Sequence, residues 1–259
     1  MFTIKQREGE ARKCSPKAAG ASPLLEAPHP SVLAEISQRT GLSQERLRKE
    51  FHVFQRLTDL FSSPNPPYAL NGGAALNMIY LRGGRRVPSD IDLRCDDLQE
   101  CRKLLADRFQ PTAHRPTNVE VYSFIDENGT VIDLAEDRFD RTKKRLQARS
   151  VLHEQGFGQY AVDVLSYDFE ILFAEKLIAL ARKRSPKDLY DAYLCLSEAH
   201  DRRKLLRFLQ EYQTREGTDP RAITGPSFKA DGEGMLPNCP SETEMLIKVQ
   251  RLIRAVIPC

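Results

Sequence analysis

Two aspartates one residue apart, Asp90 and Asp92, carry the strongest chemical signal in the chain. In a β-strand successive side chains alternate between faces, so both carboxylates point one way while Ile91 and Leu93 point into a core. Carboxylates paired on one face suit a hard cation such as magnesium, which takes oxygen ligands and shares them with substrate phosphates. Upstream, Gly72-Gly73 opens a predicted helix. Glycine lets a phosphate approach the backbone closely, and the helix start aims unpaired N–H groups at an anion. Asn71 to Leu93 therefore reads as a site for a polyphosphate and a metal.

Later elements offer what that stretch lacks. Val119 to Phe124 alternates, Glu127-Asn128-Gly129 is a turn signal, and Val131 to Leu134 returns, which is the pattern of a hairpin. Its second strand carries Asp133, either a third acid beside Asp90 and Asp92 or an ordinary outward-facing aspartate. Lys176, on an otherwise apolar helix, fits a snorkelling surface lysine or, at the edge of a triphosphate site, a point-charge phosphate binder. Ser185-Pro186-Lys187-Asp188 starts the next helix, with Ser185 as N-cap and Asp188 placed to answer it. Asp191, three residues on along the same face, has no such task and is the more suggestive acid.

Positioning these residues calls for an α/β (α+β) fold. The expected order is an irregular leader over residues 1–30, a mixed-sheet core over 31–165 with a helical N-terminal extension, and a helical C-terminal part over 166–259. Ser31 is the expected N-cap of a first helix ended by Gly41, and Ser43 caps a second whose stripe runs from Leu47 to Phe61. Tyr68 to Leu70 is a short strand, the Gly-Gly helix runs to about Leu81, and an Arg-rich loop holds Gly83 and Gly84. Asp97 to Phe109 reads as a helix with Leu98, Cys101, Leu104 and Leu105 inward. Residues 138–149 read as a basic connector helix and Val162 to Leu165 as a strand. Residues 214–240 are a polar Gly/Pro-rich loop before a final helix capped by Ser241.

Composition narrows the classes. With 259 residues and 41% hydrophobic side chains the chain can bury a proper core. Its 39 basic and 36 acidic residues leave a net charge of only +3, which argues for no partner. The arrangement says more: basic residues cluster at Arg82 to Arg86, Arg138 to Arg149, Arg182 to Lys187 and Arg202 to Arg207. Singly these are solvated helix faces, but around a metal site they favour a nucleotide or nucleic acid. Six cysteines with no CxxC and no histidines at zinc spacing argue against a zinc site or disulfide framework. No membrane-length apolar run or signal peptide is present, so the expected location is cytoplasmic.

Two blocks in order resemble the AbiEii/AbiGii toxin family of nucleotidyltransferases, toxins of type IV toxin–antitoxin and phage-defence systems within the DNA polymerase β-like superfamily. The first is Gly72-Gly73-x-x-Leu76 with Arg86 and Asp90-Ile91-Asp92-Leu93; the second is Ala174-Glu175-Lys176-Leu177-x-Ala179 leading to Asp188-Leu189-Tyr190-Asp191. The likeness covers roughly residues 45–200. It departs at Pro88, where the family usually has Ser or Thr and Ser89 is shifted by one, and at Lys183 and Lys187, where the family usually has arginine. The resemblance implies a nucleotidyltransferase-fold core and transfer of a nucleoside monophosphate from an NTP with release of pyrophosphate. It implies Asp90, Asp92 and Asp133 as ligands of two magnesium ions, with manganese as a substitute, and as catalytic residues with Lys176. Gly72, Gly73 and Ser89 would hold the β- and γ-phosphates of the nucleotide, Lys176 would neutralise the triphosphate, and Asp188 and Asp191 would orient Lys176 or the base. The implied acceptor is RNA, notably the tRNA 3′ end, modified so as to stop translation, with a cognate antitoxin as protein partner and no membrane. The alternatives are transfer to a small molecule or a protein hydroxyl, and a catalytically silent protein that binds nucleotide or a partner.

Overall fold

The structure, a computed structural model, describes residues 26–81, 86–116, 120–137, 139, 141–183, 185–223 and 240–257. The leader up to residue 25, the Gly83-Gly84 loop, Val119, Arg138 and most of the 214–240 stretch lie outside the described residues. Two helices come first, α1 (Pro30–Thr40) and α2 (Gln44–Leu60), followed by β1 (Tyr68–Asn71), α3 (Gly72–Ala75), β2 (Asp90–Cys95) and α4 (Leu98–Ala106). Four strands are then β3 (Gln110–Pro116), β4 (Glu120–Ile125), β5 (Val131–Glu136) and β6 (Lys144–Arg149), and after α5 (Val151–Glu154) comes β7 (Ala161–Ser166). The chain closes with α6 (Phe169–Lys183), α7 (Pro186–Cys195), α8 (Arg202–Glu216) and α9 (Glu242–Val256).

The strands form one mixed sheet in the order β3-β4-β5-β2-β1-β7-β6. At its centre β2 runs antiparallel to β1 and parallel to β5, so the Asp90/Asp92 strand is flanked on both sides. Central strands of this kind bury alternate residues, and Ile91 and Leu93 are 0% and 1% exposed. One buried cluster extends from Leu33 on α1 through the sheet to Val256 on α9. Apolar burial on that scale is what holds the C-terminal helices against the sheet. Among the described residues no helix is long and apolar enough to cross a membrane.

Local signals set most boundaries. Ser43, Asp97, Asp201 and Ser241 cap their helices by accepting backbone N–H groups, and Gly41 ends α1 in the left-handed region at φ 73°. Four expectations fail. α1 begins at Pro30 with His29 at the cap, because proline is pre-set for a first helical turn and the His29 ring accepts the Ser31 N–H. Residues 144–149 are an edge strand paired with β7 rather than a helix. Leu146 and Ala148 face in between exposed Arg145 and Gln147, a period of two that the density of basic residues hides. Leu104 is 43% exposed, since Leu98, Cys101 and Leu105 already fill the inward face of α4. The proline-bearing β3 has no clear sequence signal; it is tolerated at the sheet edge, where its register slips between Pro111 and Ala113. The polar stretch after 214 also starts later than expected, because α8 runs on to Glu216 before Gly217 caps it.

Candidate active site

β1 delivers the chain to Gly72 beside β2, with Asn71 in register with Asp92. Gly72 has φ +64°, and a Cβ there would stand 2.0 Å from Asp92 Oδ2. Only glycine meets both demands, a left-handed backbone and a carboxylate resting on the main chain. At Gly73 a Cβ would stand 2.1 Å from Arg86 Nη2. The pair thus forms a cradle with an acid on one side and a guanidinium on the other. The helix it opens continues from α3 into a π-turn, Leu76–Tyr80.

The parallel pairing of β2 with β5 puts Asp133 directly opposite Asp92, and Asp90 lies two residues back on the same face. Adjacent strands are about 4.8 Å apart, so three carboxylates share a patch one side chain wide. Asp133 Oδ1 accepts from Ser123 Oγ at 2.5 Å across the β4–β5 ladder. These acids, Gly72, Gly73, Lys176 and Asp188 all border one cavity of about 520 Å³. Burial pushes the Asp92 carboxyl up to about 6, Asp90 adds to this, Lys176 and Arg94 pull it down, and Asp133 pushes it up again. Burial is the largest cause of that shift, with Asp90 and Asp133 repelling the charged form. Among the described residues no three acidic, histidine or cysteine groups are already closed round a point where a metal would sit. The donor set still fits a hard cation: all three are oxygen acids on one face, and their mutual repulsion is what a divalent ion removes. Asn71 Oδ1, buried beside them, makes no hydrogen bond.

Directly behind lies a second charged cluster with the opposite character. Asp191 is fully buried; Arg86 binds it through Nε at 2.9 Å and Nη2 at 3.1 Å, Asn77 Nδ2 donates at 3.1 Å, and Lys176 Nζ lies at 3.1 Å. Burial by itself would raise the Asp191 carboxyl, but Arg86 and then Lys176 hold it below the usual range. Lys176 also reaches Asp188 at 2.9 Å, and despite burial Asp191 and Asp188 keep its ammonium charged well above neutrality. Asn77 completes the set: its Nδ2 donates to the Gly73 carbonyl at 2.8 Å and its Oδ1 accepts the Arg86 N–H at 2.9 Å. The π-turn brings this side chain to the Gly-Gly cradle.

Two sequence expectations change here. Asp188 does not answer a Ser185 cap, whose side chain makes no capping bond; its carboxylate is engaged by Lys176 instead. Asp191 has the most demanding structural task in the region. No local pattern could reveal it, because its partners Asn77 and Arg86 lie 114 and 105 residues away in sequence. Ser89 is exposed and borders an adjoining cavity rather than the main one, its hydroxyl 3.4 Å from Asp90 Oδ1.

The far end of the main cavity is built round Glu175, which accepts from Asn71 at 2.7 Å, Arg141 at 2.8 Å and Tyr212 at 2.5 Å. Arg94 also lines this end and feels both Glu175 and Asp92. Its position was legible, since residue 94 continues the 90, 92 alternation, but a lone arginine after the acids carries no signal of its own.

The sequence model described as "Nucleotidyl transferase AbiEii toxin, Type IV TA system" matches residues 56–252. No curated protein matches the sequence. Among solved structures, MenT4, a nucleotidyltransferase toxin from Mycobacterium tuberculosis, superposes with a TM-score of 0.70 at 14% identity, over 90% of this chain and 91% of that one. That likeness establishes a shared fold. JHP933 from Helicobacter pylori gives a TM-score of 0.44 at 13% identity over 83% of this chain and 93% of that one, too low to add to it.

Proposed function

Because the chain belongs to the AbiEii family of nucleotidyltransferase toxins of type IV toxin–antitoxin systems, we propose that it transfers a nucleoside monophosphate from an NTP to an RNA hydroxyl, at the 3′ end of tRNA, and so blocks translation in the cytoplasm. Family membership itself implies an NTP substrate and a cognate antitoxin. The observation that carries the finer reading is that Asp90, Asp92 and Asp133, three acids on one face, border the same cavity as the charged Lys176.

Asp90, Asp92 and Asp133 would hold magnesium, two ions in the favoured arrangement, with manganese able to substitute. Such ions, when bound, neutralise the triphosphate and stabilise charge on the entering and leaving oxygens. The remaining work falls to the chain. Asp133 takes the proton of the acceptor hydroxyl as its oxygen bonds to the α-phosphorus; the bond from that phosphorus to the β-bridging oxygen breaks, and the electron pair leaves with pyrophosphate. Backbone at Gly72 and Gly73 lies against the phosphates, with Ser89 at their outer end. Lys176 has three donors, two of them directed to Asp188 and Asp191, which leaves a third for the triphosphate. Asp188 and Asp191 act through Lys176 by fixing its position.

Incubation with labelled NTPs, magnesium and total cellular RNA tests this reading. Label on RNA that disappears in Asp90→Asn is the expected result. Label on protein or on a small molecule would replace the acceptor, and NTP binding indifferent to magnesium with no turnover would defeat the enzyme reading altogether.

A further inference from the structure

The two edges of the sheet differ in kind. β3 carries Pro111 and Pro116, which have no N–H to offer, and its register slips between Pro111 and Ala113. β6, at the other edge, pairs with β7 without a slip, from Lys144 opposite Ser166 to Arg149 opposite Ala161. The next pair in that register is Ser150 and Tyr160, where the Ser150 N–H donates to the Tyr160 carbonyl at 3.1 Å. Antiparallel pairs alternate between bonded and non-bonded, so Leu146 and Ala148 bond to β7 while Arg145, Gln147 and Arg149 turn their N–H and C=O groups outward. Among the described residues the outward groups of Arg145 and Gln147 meet no backbone partner. Two donors and two acceptors thus stand in a row on an edge free of proline and bulge. Both side chains are exposed, and Arg145 pairs with no acid among the described residues.

We infer that β6 is a docking edge for an extended, acidic segment of a second protein, which adds an eighth strand to the sheet. Carbonyls as well as N–H groups must be met here, and a phosphate chain accepts hydrogen bonds but donates none. A polypeptide strand supplies both in alternation. Its charge follows from Arg145, since residues opposite one another on neighbouring strands attract when unlike and repel when like. A second copy of β6 fails that test: two-fold pairing about Gln147 sets Arg145 of one copy against Arg149 of the other. Residues 1–25 fail it as well, with five basic side chains against two acidic ones. They are close enough to compete, because the Glu26 carbonyl accepts the Tyr160 hydroxyl at 3.2 Å beside the start of β7. Neither Arg145 nor Gln147 borders the main cavity, so the docking holds whatever reaction that cavity performs.

Two synthetic peptides of alternating valine and threonine, one with glutamates and one with lysines on the threonine face, test the assignment on the full chain by calorimetry and amide hydrogen exchange. The glutamate peptide should bind about tenfold more tightly, an attractive cross-strand pair being exchanged for a repulsive one. It should also slow exchange at Arg145 and Gln147. Arg145→Glu should reverse the preference, a change of sign that misfolding cannot produce. Gln147→Pro removes one outward N–H without touching the bonds to β7, and should abolish binding of both peptides at an unchanged melting temperature. The inference is overturned by no binding of either peptide, by equal affinity for the two, by a preference that Arg145→Glu does not reverse, or by protection elsewhere than β6. Protection of the same amides by an RNA oligonucleotide, with no peptide bound, assigns the edge to nucleic acid and overturns it too. So does a concentration-dependent dimer of the wild-type chain that Gln147→Pro dissociates.

Discussion

Two charged clusters lie back to back in this protein, and they are solved in opposite ways. Around Asp191, two cations face two buried or half-buried acids, and Asn77 satisfies what remains. On the β2–β5 face, three acids share a patch, and burial together with Asp90 and Asp133 pushes Asp92 toward protonation against the pull of Lys176 and Arg94. The first cluster is complete without help, as buried ion networks must be if they are not to cost the fold heavily. The second is completed, on the function proposed above, by a cation and a polyphosphate. Lys176 pairs with Asp188 and Asp191 and also acts on Asp92, which couples the rigid cluster to the acidic face.

The contrast breaks most sharply on the acidic side. Asp90→Asn should lower transfer by more than about a thousandfold, measured as pyrophosphate release, with no loss of melting temperature. Substantial residual activity would remove Asp90 from the mechanism. On the rigid side Asp191→Ala should cost about 3–5 kcal/mol of stability, since it strands Arg86 and Lys176 in a buried setting. Urea denaturation reads that number, and a cost below about 1 kcal/mol would mean the network is not the scaffold. Gly72→Ala places a methyl group on Asp92 and strains φ +64°; a roughly hundredfold drop in transfer is expected from a displacement of about one ångström. Transfer near the wild-type rate in that variant would show that Asp92 can yield without consequence.

The smallest effect is in pH. The Asp92 carboxyl titrates near 6 in the fold against an ordinary value of 3.8, so its neutral form is the one the fold favours. The associated stability is fully present below pH 3.8 and is lost as pH rises through about 6. Without metal, Asp92→Asn should therefore raise stability at pH 8 by roughly 1–2 kcal/mol and change little at pH 4, as read by paired melting curves. A destabilised variant at pH 8 would contradict the picture of an over-charged face. In the same window, protons should compete with magnesium, so transfer at limiting magnesium should fall as pH drops below 6.

Much of this was readable from the chain because the informative patterns are local. Asp90-Ile91-Asp92-Leu93 states both its strand and its two faces, and the Asn128-Gly129 turn announces the hairpin that brings Asp133 alongside. Caps at Ser43, Gly41 and Ser241 fix helix ends within a turn. What stayed hidden is non-local or masked by composition. Arg86 and Asn77 find Asp191 only in three dimensions, β6 is disguised by its basic residues, and β3 by its prolines. The capping task given to Asp188 was misjudged for the same reason: spacing within a helix tells which face a carboxylate shares, but not which lysine lies against it.

The Asn77–Asp191 link also orders events in time. The acids of β2 and β5 leave the ribosome long before α7, yet the contacts of Arg86 and Asn77 with Asp191 form only when α7 docks. Translation runs N-terminal first, so a nascent or truncated chain ending before Asp191 carries Asp90, Asp92 and Asp133 but lacks the buried carboxylate that ties Arg86, Asn77 and Lys176 together. Under the proposed transfer reaction, unfinished fragments of the chain should therefore be inactive.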